Sequence, residues 1–263
     1  MELKSSAKLN IGLHVHSIRS DGFHNISTLF QEISLYDSIR IDEAENFSCK
    51  TDCGNIPESD NFGTKAFRIV KKLKPELPNV SISIRKAIPM NAGLGGGSSN
   101  GTAVLKGLNH LFSLSLDKNK LSLIANEISS DSTFFMEGGS QFGTQRGEKL
   151  QPVKNMKVPK HILLVHPNIK VSTKTAFEQL KNHLLNENMD INLSKLLREL
   201  KNNNFNSKLF KNDFEMYVFE THPEIGAIKL KLKDFGAEYA SLSGTGSTVF
   251  GIFFSKKDLL KAQ

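Results

Sequence analysis

The 263-residue sequence has little of what builds a secreted or membrane protein. It contains two cysteines, Cys49 and Cys53, and no tryptophan. Two cysteines are too few for the disulfide framework of a small secreted scaffold. Their C-x-x-x-C spacing also lacks the further Cys or His ligands that would complete a zinc site. No run of about 18 apolar residues occurs, so no segment is predicted to span a membrane as a helix.

The N-terminal segment and the overall pattern exclude further classes. Residues 1–22 alternate polar and apolar side chains and lack the continuous apolar region of a signal peptide. Neither an internal repeat nor a heptad period is present, which excludes collagen-like and coiled-coil proteins. Together with the scarcity of cysteine, these features predict a cytoplasmic globular protein.

The charge is unbalanced toward the basic side. The chain carries 34 Lys and Arg against 27 Asp and Glu, a net charge of +7. A basic balance suits anionic partners, including nucleic acids, acidic lipids and phosphorylated small molecules. The longest basic clusters, 70–74 and 229–233, carry no interleaved aromatic side chains on which nucleic-acid bases would stack. Charge alone therefore does not decide the partner, and no nucleic acid is expected.

Alternating strands and helices predict an α+β fold with mixed sheets. Val80–Ile84 alternates apolar and polar residues, as a half-buried strand does, and a glycine turn and a helix over 98–111 follow it. We place the boundary between two halves of the chain at 150–159. The other predicted elements are a buried strand at 162–165, an amphipathic helix at 191–203, a helix that starts at a capping box at 221–224 and stops at Gly236, and a closing strand at 247–254.

The strongest local signal is the glycine-rich segment 89–99, PMNAGLGGGSS, which precedes the predicted helix. Glycines let the backbone approach a ligand closely. The free N–H groups and the dipole of a helix N-terminus favour an anion there. The segment therefore predicts a phosphate cradle. Ser98 and Asn100 replace glycines of the dinucleotide fingerprint, and Thr102 replaces the lysine of a Walker A motif, so the cradle is neither of these.

Two weaker signals lie near the chain ends. A second glycine cluster, 242–247, precedes the closing strand, and a hairpin turn explains it equally well. Neither glycine cluster contains the nucleophile elbow of a serine hydrolase. Near the N-terminus, period two places Lys8 and Asn10 on one face of a strand, and a turn at 20–24 follows. Taken alone, Lys8 is typical of a surface lysine and His24 of a surface or core histidine.

In combination, these motifs resemble those of a known family. A lysine in an N-terminal strand, the P-x-x-x-G-L-G-G-G-S-S loop and the late S-G-T-G-S turn are similar to the three motifs of the GHMP small-molecule kinases. The order A-K-L-N, D-G-F-H, G-L-G-G-G-S-S-N resembles most the branch that phosphorylates 4-diphosphocytidyl-2-C-methyl-D-erythritol. Further similar segments occur in the family's order, at 59–62, 130–135, 171–173, 212–215 and 222–225.

The resemblance implies a fold, a reaction and two cofactors. The fold is α+β, the two-lobe GHMP kinase fold, with a ribosomal S5 domain 2-like N-terminal domain at 1–155 and a ferredoxin-like C-terminal domain at 156–263. The reaction transfers the γ-phosphoryl group of ATP, with Mg²⁺, to the 2-hydroxyl of 4-diphosphocytidyl-2-C-methyl-D-erythritol in non-mevalonate isoprenoid biosynthesis. The metal ligands and the oligomeric state stay open; Ser98, Ser99 and Asp131 are candidates for the metal.

The resemblance also implies a role for individual residues. By similarity, Asp131 is the base and Lys8 its partner cation, whereas the sequence alone leaves Asp131 an ordinary helix-capping residue. The residues implied in ATP binding are Asn61, Lys86, Pro89, Ala92, Gly93, Leu94, Gly95, Gly96, Gly97, Ser98 and Ser99. Those implied in acceptor binding are Asn10, Phe23, His24, Thr173, Phe177, Gly244, Thr245 and Gly246, with Phe23 and Phe177 stacking on a cytosine whose edge meets His24.

The chain departs from the family pattern beside the base. The usual G-A-D-V-P is here Ser129-Ser130-Asp131-Ser132-Thr133, and the loop carries Asn91 where a small residue is common. The acid is kept, but the lost glycine and proline allow a different local backbone. Two alternatives remain open: another GHMP-type kinase acting on a mevalonate derivative, homoserine or a sugar, and a nucleotide-binding protein without catalysis.

Overall fold

The computed structural model describes residues 1–53, 56–154, 161–180, 193–202 and 208–263. Its strands are β1 Glu2–Ile18, β2 His24–Glu43, β3 Ser48–Thr51, β4 Val80–Arg85, β5 Ser140–Thr144, β6 Lys149–Pro152, β7 His161–Val165, β8 Tyr239–Leu242 and β9 Val249–Phe253. Its helices are α1 Phe62–Leu73, α2 Gly96–Leu111, α3 Lys118–Ile128, α4 Thr173–Leu180, α5 Leu193–Lys201, α6 Phe214–Thr221, α7 Pro223–Asp234 and α8 Lys256–Ala262. This content confirms the α+β prediction.

The chain forms two compact units that alternate along the sequence. Unit 1 comprises Met1–Lys8, Glu32–Met90 and Gly95–Gly138. Unit 2 comprises Leu9–Gln31, Asn91–Leu94 and Gly139–Gln263. The division into domains 1–155 and 156–263 stays a prediction, and residues 155–159 of the proposed soft boundary lie outside the described residues.

Unit 1 is a sheet covered by helices. The second half of β2 pairs antiparallel with β4, and β3 adds to β4 in parallel. Alternate residues of β4 are buried, as the sequence pattern predicted, and they meet one apolar side of each of α1, α2 and α3. The members of this core include Ile39, Ile41, Ala66, Phe67, Val70, Ile82, Val104, Leu105, Leu108, Ile124 and Ile128. The order strand, glycine loop, helix is confirmed, since α2 follows the loop directly.

Unit 2 contains the three-stranded antiparallel order β7-β9-β8. It also contains the first half of β2 paired with β5, which in turn pairs with β6. Helices α6 and α7 place Val218, Ile225 and Leu232 in a core with side chains of β8 and β9. Among the described residues of the whole chain, no helix is both long and apolar enough to cross a membrane.

Several local predictions are confirmed, two are wrong and one helix was not predicted. Helix α5 and strand β9 lie within their predicted ranges, although residues 191, 192 and 203 fall outside the described residues. Strand β7 is half-buried along its length rather than buried. The final helix α8, which Ser255 caps through a 3.1 Å bond from Lys257 N, was not predicted because it is short and polar.

The predicted capping box of α7 does not form. Its N-cap is His222, without a side-chain capping bond, because Thr221 is the last residue of α6, where its hydroxyl donates to the Tyr217 carbonyl. The predicted stop is confirmed: α7 ends at Asp234, and Gly236 has a φ of +91°, the left-handed conformation that glycine allows at a helix end.

Candidate active site

A lysine and a carboxylate from distant parts of the sequence meet in unit 1. Strand β1 carries Lys8, whose side chain is only 5% exposed, and its Nζ lies 3.3 Å from Asp131 Oδ2. Asp131 is in a short 3-10 helix, Ser130–Met136, and its side chain is 33% exposed. A buried cation beside a partly open carboxylate is suited to taking a proton from a hydroxyl and balancing the charge that develops.

Serines hold the turn that carries Asp131. Ser129 caps the 3-10 helix, accepting from Ser132 N at 3.2 Å, and its hydroxyl donates to Ser98 Oγ at 2.8 Å. Thr102 of α2 donates to the Ser132 carbonyl at 2.9 Å. The departure from the usual G-A-D-V-P therefore adds hydroxyl groups that anchor the Asp131 turn to the first turns of α2.

Helix α2 begins without a side-chain cap. Its N-cap is Gly95, in the left-handed conformation with φ +70°, and as a glycine it has no side chain to bond the first N–H groups. A Cβ at Gly95 would lie 3.0 Å from both Lys8 Cγ and Phe135 Cζ, so the backbone passes close to the Lys8 side chain. Uncapped N–H groups at a helix N-terminus form a site for an anion. The geometry fits the predicted phosphate cradle.

A cavity of about 110 Å³ lies beside this loop in unit 1. Asn61 and Lys86, two of the residues implied in ATP binding, both line it. Asn61 also caps α1, accepting from Gly63 N at 2.8 Å. The remaining lining residues are Thr51, Ile56, Asp60, Phe62, Ile84, Gly97 and Asn100.

In unit 2, the two glycine turns contact each other. The Ser243 hydroxyl donates to the Gly93 carbonyl at 3.0 Å, and a Cβ at Gly93 would lie 1.9 Å from the Ser243 carbonyl oxygen. Thr248 N further donates to the Ala92 carbonyl at 3.3 Å. The late cluster is a hairpin turn between β8 and β9, and it also holds the backbone at 92–93. Glycine is required at Gly93 because another chain segment occupies the space of a side chain.

Asn212 fixes this hairpin turn, and sequence reasoning gave it no role. Its Nδ2 donates to the carbonyls of Leu242 and Gly244 at 2.8 Å each. The neighbouring Asp213 accepts from Val15 N at 2.8 Å and lies 3.4 Å from His14 Nδ1. The segment 212–215 was noted only as similar to the family, because its partners are remote in sequence.

Several residues implied in acceptor binding come together beside the turn. Asn10 donates to the Thr28 hydroxyl at 3.0 Å, and its Oδ1 lies 3.4 Å from the position of a Cβ at Gly244. The hydroxyls of Thr173 and Thr245 lie 3.0 Å apart. These contacts place a compact set of amide and hydroxyl groups at one point of unit 2.

The aromatic residues are arranged only in part as expected. His24 is buried, and its ring stacks on Phe177 with centroids 5.2 Å apart and an angle of 27°. Phe177 in turn meets Phe214 edge to face at 4.8 Å. Phe23 is 53% exposed, and the Arg146 guanidinium lies 5.1 Å over its ring. The structure thus brings His24 and Phe177 together and leaves the Phe23 ring largely in solvent.

The donor set is informative about a metal. Among the described residues, no group of three or more His, Cys, Asp or Glu side chains is placed to hold a metal ion. Mg²⁺ is commonly bound by one or two carboxylates together with substrate phosphates. Asp131 near the uncapped start of α2 fits that mode, in which phosphate oxygens supply most of the ligands.

Comparison with known proteins identifies similar chains. The family models for the GHMP kinases N terminal domain and the GHMP kinases C terminal match residues 61–139 and 178–263. The 4-diphosphocytidyl-2-C-methyl-D-erythritol kinase of Porphyromonas gingivalis is 36% identical over 98% of this chain and 93% of its own. That of Chlorobium chlorochromatii is 34% identical over 100% of this chain and 91% of its own.

Solved structures give a consistent result. A crystal structure of 4-(cytidine 5'-diphospho)-2C-methyl-D-erythritol kinase superposes with a TM-score of 0.84 at 26% identity and covers 100% of this chain and 93% of that one. Homoserine kinase from Cytophaga hutchinsonii, at 19% identity, has a TM-score of 0.69 over 99% of this chain and 88% of its own, which shows a shared fold alone.

Proposed function

We propose the reaction that this protein catalyses from the family to which it belongs. The chain belongs to the GHMP kinases and, among them, to the 4-diphosphocytidyl-2-C-methyl-D-erythritol kinases. It transfers the γ-phosphoryl group of ATP to the 2-hydroxyl of 4-diphosphocytidyl-2-C-methyl-D-erythritol, for isoprenoid biosynthesis. The observation that supports this reaction is the ion pair of Lys8 and Asp131, whose Nζ and Oδ2 atoms lie 3.3 Å apart beside the start of α2.

Asp131 and Lys8 act on the acceptor hydroxyl. Asp131 orients the 2-hydroxyl and takes its proton as the bond to phosphorus forms, while Lys8 stabilises the negative charge. In a loose transition state, positioning and charge compensation matter more than early deprotonation. The partly open Asp131 carboxylate and the buried ammonium of Lys8 suit these two roles.

The nucleotide is held by unit 1. The first N–H groups of α2 and the hydroxyls of Ser98 and Ser99 hold its phosphates, and the cavity lined by Asn61 and Lys86 takes the adenosine end. Mg²⁺, when bound with ATP, neutralises charge on the phosphates. Among the described residues, Asp131, in the turn that Ser129 ties to Ser98, is the carboxylate that would bind it.

The acceptor is held by unit 2. Phe177 and Phe23 stack on the cytosine ring, and His24, whose own ring stacks on Phe177, meets the edge of the base. Asn10, Thr173 and the turn at 244–246 supply polar contacts to the rest of the alcohol. A phosphorylated small molecule, rather than nucleic acid, is the anionic partner that suits the basic charge. We place the enzyme in the cytoplasm.

Steady-state turnover tests the reaction. With ATP and Mg²⁺, we expect ADP release that depends on 4-diphosphocytidyl-2-C-methyl-D-erythritol and that mevalonate, homoserine and a hexose do not support. Turnover of one of those alcohols instead would make the protein another GHMP-type kinase. Binding of ATP without turnover of any alcohol would indicate a nucleotide-binding protein without catalysis.

Removing the aromatic surface is expected to weaken acceptor binding selectively. In Phe177→Leu, the stacking surface is lost, so the KM for the cytidine alcohol rises about 5-fold or more while the KM for ATP is unchanged. Phe219→Leu is a matched control, because Phe219 is an aromatic residue that packs on the core of unit 2 and has no assigned contact with substrate. Equal effects of both variants on the two KM values would contradict the assignment.

A further inference from the structure

A fully buried carboxylate, Asp37, lies behind the cavity of unit 1. Its Oδ1 accepts hydrogen bonds from the N–H groups of Ala87 and Ile88 at 2.8 Å each. Its Oδ2 accepts from Lys86 Nζ and, at 3.1 Å, from Asn100 Nδ2. Asp37 has 0% exposure, and none of the motifs assigned it a role. Two of its four donors, Lys86 and Asn100, line the cavity.

The pair with Lys86 determines where that ammonium lies. The Lys86 side chain is only 7% exposed, and burial of a charge is unfavourable unless an opposite charge and hydrogen bonds compensate it. A lysine side chain has a flexible four-carbon stem, so its head group needs a fixed partner to hold one position. Asp37 is that partner. It holds Nζ next to the loop, 3.3 Å from the position of a Cβ at Gly96.

Asp37 also fixes the amide of Asn100 and reaches the loop through it. Since Asn100 Nδ2 donates to Asp37, its Oδ1 is left to accept, and it lies 3.3 Å from Ser5 Oγ. The Ser5 hydroxyl also lies 2.8 Å from Ser99 Oγ, so its single proton is shared between the two acceptors. A continuous set of buried polar contacts thus runs from Lys86 through Asp37 and Asn100 to Ser99.

The charge balance of this set indicates what it recognises. Asp37 neutralises Lys86 and the lining also contains the Asp60 carboxylate, so the cavity presents the N–H groups of Lys86 and Asn100 without a net positive charge. Neutral acceptors, such as ring nitrogens and ribose hydroxyl groups, match such donors better than phosphate does. The phosphates are left to the N-terminus of α2, whose N–H groups and dipole favour an anion.

We propose that Asp37 is a positioning residue for the nucleotide: by holding Lys86 and Asn100, it sets the affinity for ATP and the preference for its base. The inference rests on the proposed function only in assigning this cavity to the adenosine end. Because Asp37 is fully buried, it acts on the nucleotide through Lys86 and Asn100, which line the cavity.

Equilibrium binding and kinetics of three variants test the proposal. In Asp37→Asn, an amide faces the donors of Lys86 and Asn100. We expect affinity for an ATP analogue with a non-transferable γ-phosphate to fall about 10-fold, and KM for ATP to rise equally, with kcat within about 3-fold. Lys86→Met is expected to do the same. Because the two residues act as one unit, the double variant is expected to match one single variant rather than the product of both.

A change in base preference separates positioning from a structural role. The ratio of ATP to GTP turnover is expected to fall in Asp37→Asn, and loss of folded protein alone leaves this ratio unchanged. Asp52→Asn is the matched control, since Asp52 accepts from the backbone N–H of Lys86 at 2.8 Å rather than from its Nζ. It is expected to bind the analogue as the natural protein does.

The outcomes are decisive even if one variant does not fold. Wild-type affinity and base preference in Asp37→Asn would overturn the proposal. If that variant fails to fold, the charge-neutral double variant replaces it, because it leaves no uncompensated buried charge; wild-type affinity there would overturn the proposal equally. Binding is measured without an acceptor. Failure of the natural protein to phosphorylate the cytidine alcohol would therefore contradict the proposed function. The role of Asp37 would still be decided by the measured affinity for the ATP analogue.

Discussion

Replacing Asp131 by asparagine is expected to lower kcat by about 10²- to 10⁴-fold, the range that a positioned general base contributes. An asparagine keeps the size of the side chain but takes up no proton and carries no charge beside Lys8. The fold is expected to persist, because the Asp131 side chain is one-third exposed and the serine contacts that hold its turn use other atoms. Steady-state kinetics with ATP, Mg²⁺ and the cytidine alcohol, together with a thermal unfolding curve, measure both quantities.

The control for this prediction is Glu137→Gln. Glu137 follows the same 3-10 helix, is 43% exposed at its side chain and pairs with the exposed Lys118. Its loss is expected to leave kcat unchanged, since exposed ion pairs contribute little. An Asp131→Asn enzyme that retains more than about a tenth of the natural kcat would show that Asp131 orients the hydroxyl without serving as a base.

Gly93→Ala is expected to have the largest effect on stability. At a φ of +76° any L side chain is strained, and the added Cβ would lie 1.9 Å from the Ser243 carbonyl oxygen. That oxygen belongs to backbone, so it moves only if the hairpin turn moves with it. The strain of a left-handed residue and the cost of overpacking together predict a loss of about 2 to 5 kcal/mol in the free energy of unfolding. Urea unfolding measures this loss.

Gly139→Ala separates the two causes. Gly139 has a φ of +71°, close to that of Gly93, but a Cβ there would meet nothing within 4 Å. It is expected to show the backbone strain alone, about 1 to 2 kcal/mol. Equal losses in the two variants would mean that the turn yields easily and that its contact with Gly93 is weak. We also expect Gly93→Ala to raise the KM for ATP, because the displaced segment leads directly into α2.

Parts of the fold follow from the sequence because their causes are local. The alternation at Val80–Ile84 predicts β4, and the small residues at 93–99 predict the start of α2, since periodicity and glycine act over a few residues. The capping box at 221–224 was wrong because Thr221 is itself the last residue of the preceding helix. Helix α8 has only seven residues, too few to show a periodic pattern.

The sequence predicts a type of site but not the arrangement of its residues. A glycine loop before a helix indicates a phosphate site from the sequence, whereas Lys8 and Asp131 were identified by resemblance alone. The structure adds why Gly93 is glycine and what Asn212 holds, because their partners lie far away in the sequence. Asp37 was missed because a single acid in a strand has no signature until its four donors are seen.

The alternation of the two units along the chain has a consequence for synthesis on the ribosome. Unit 2 needs Leu9–Gln31 and Asn91–Leu94 as well as the chain beyond Gly138, so no contiguous fragment shorter than almost the whole protein contains it. Gly93 and Ser243 are 150 residues apart. At translation rates of about 5 to 20 residues per second, Ser243 is synthesised roughly 8 to 30 s after Gly93. Until then the backbone at 92–93 lacks the hydrogen bonds from Ser243 and Thr248 that the finished chain supplies.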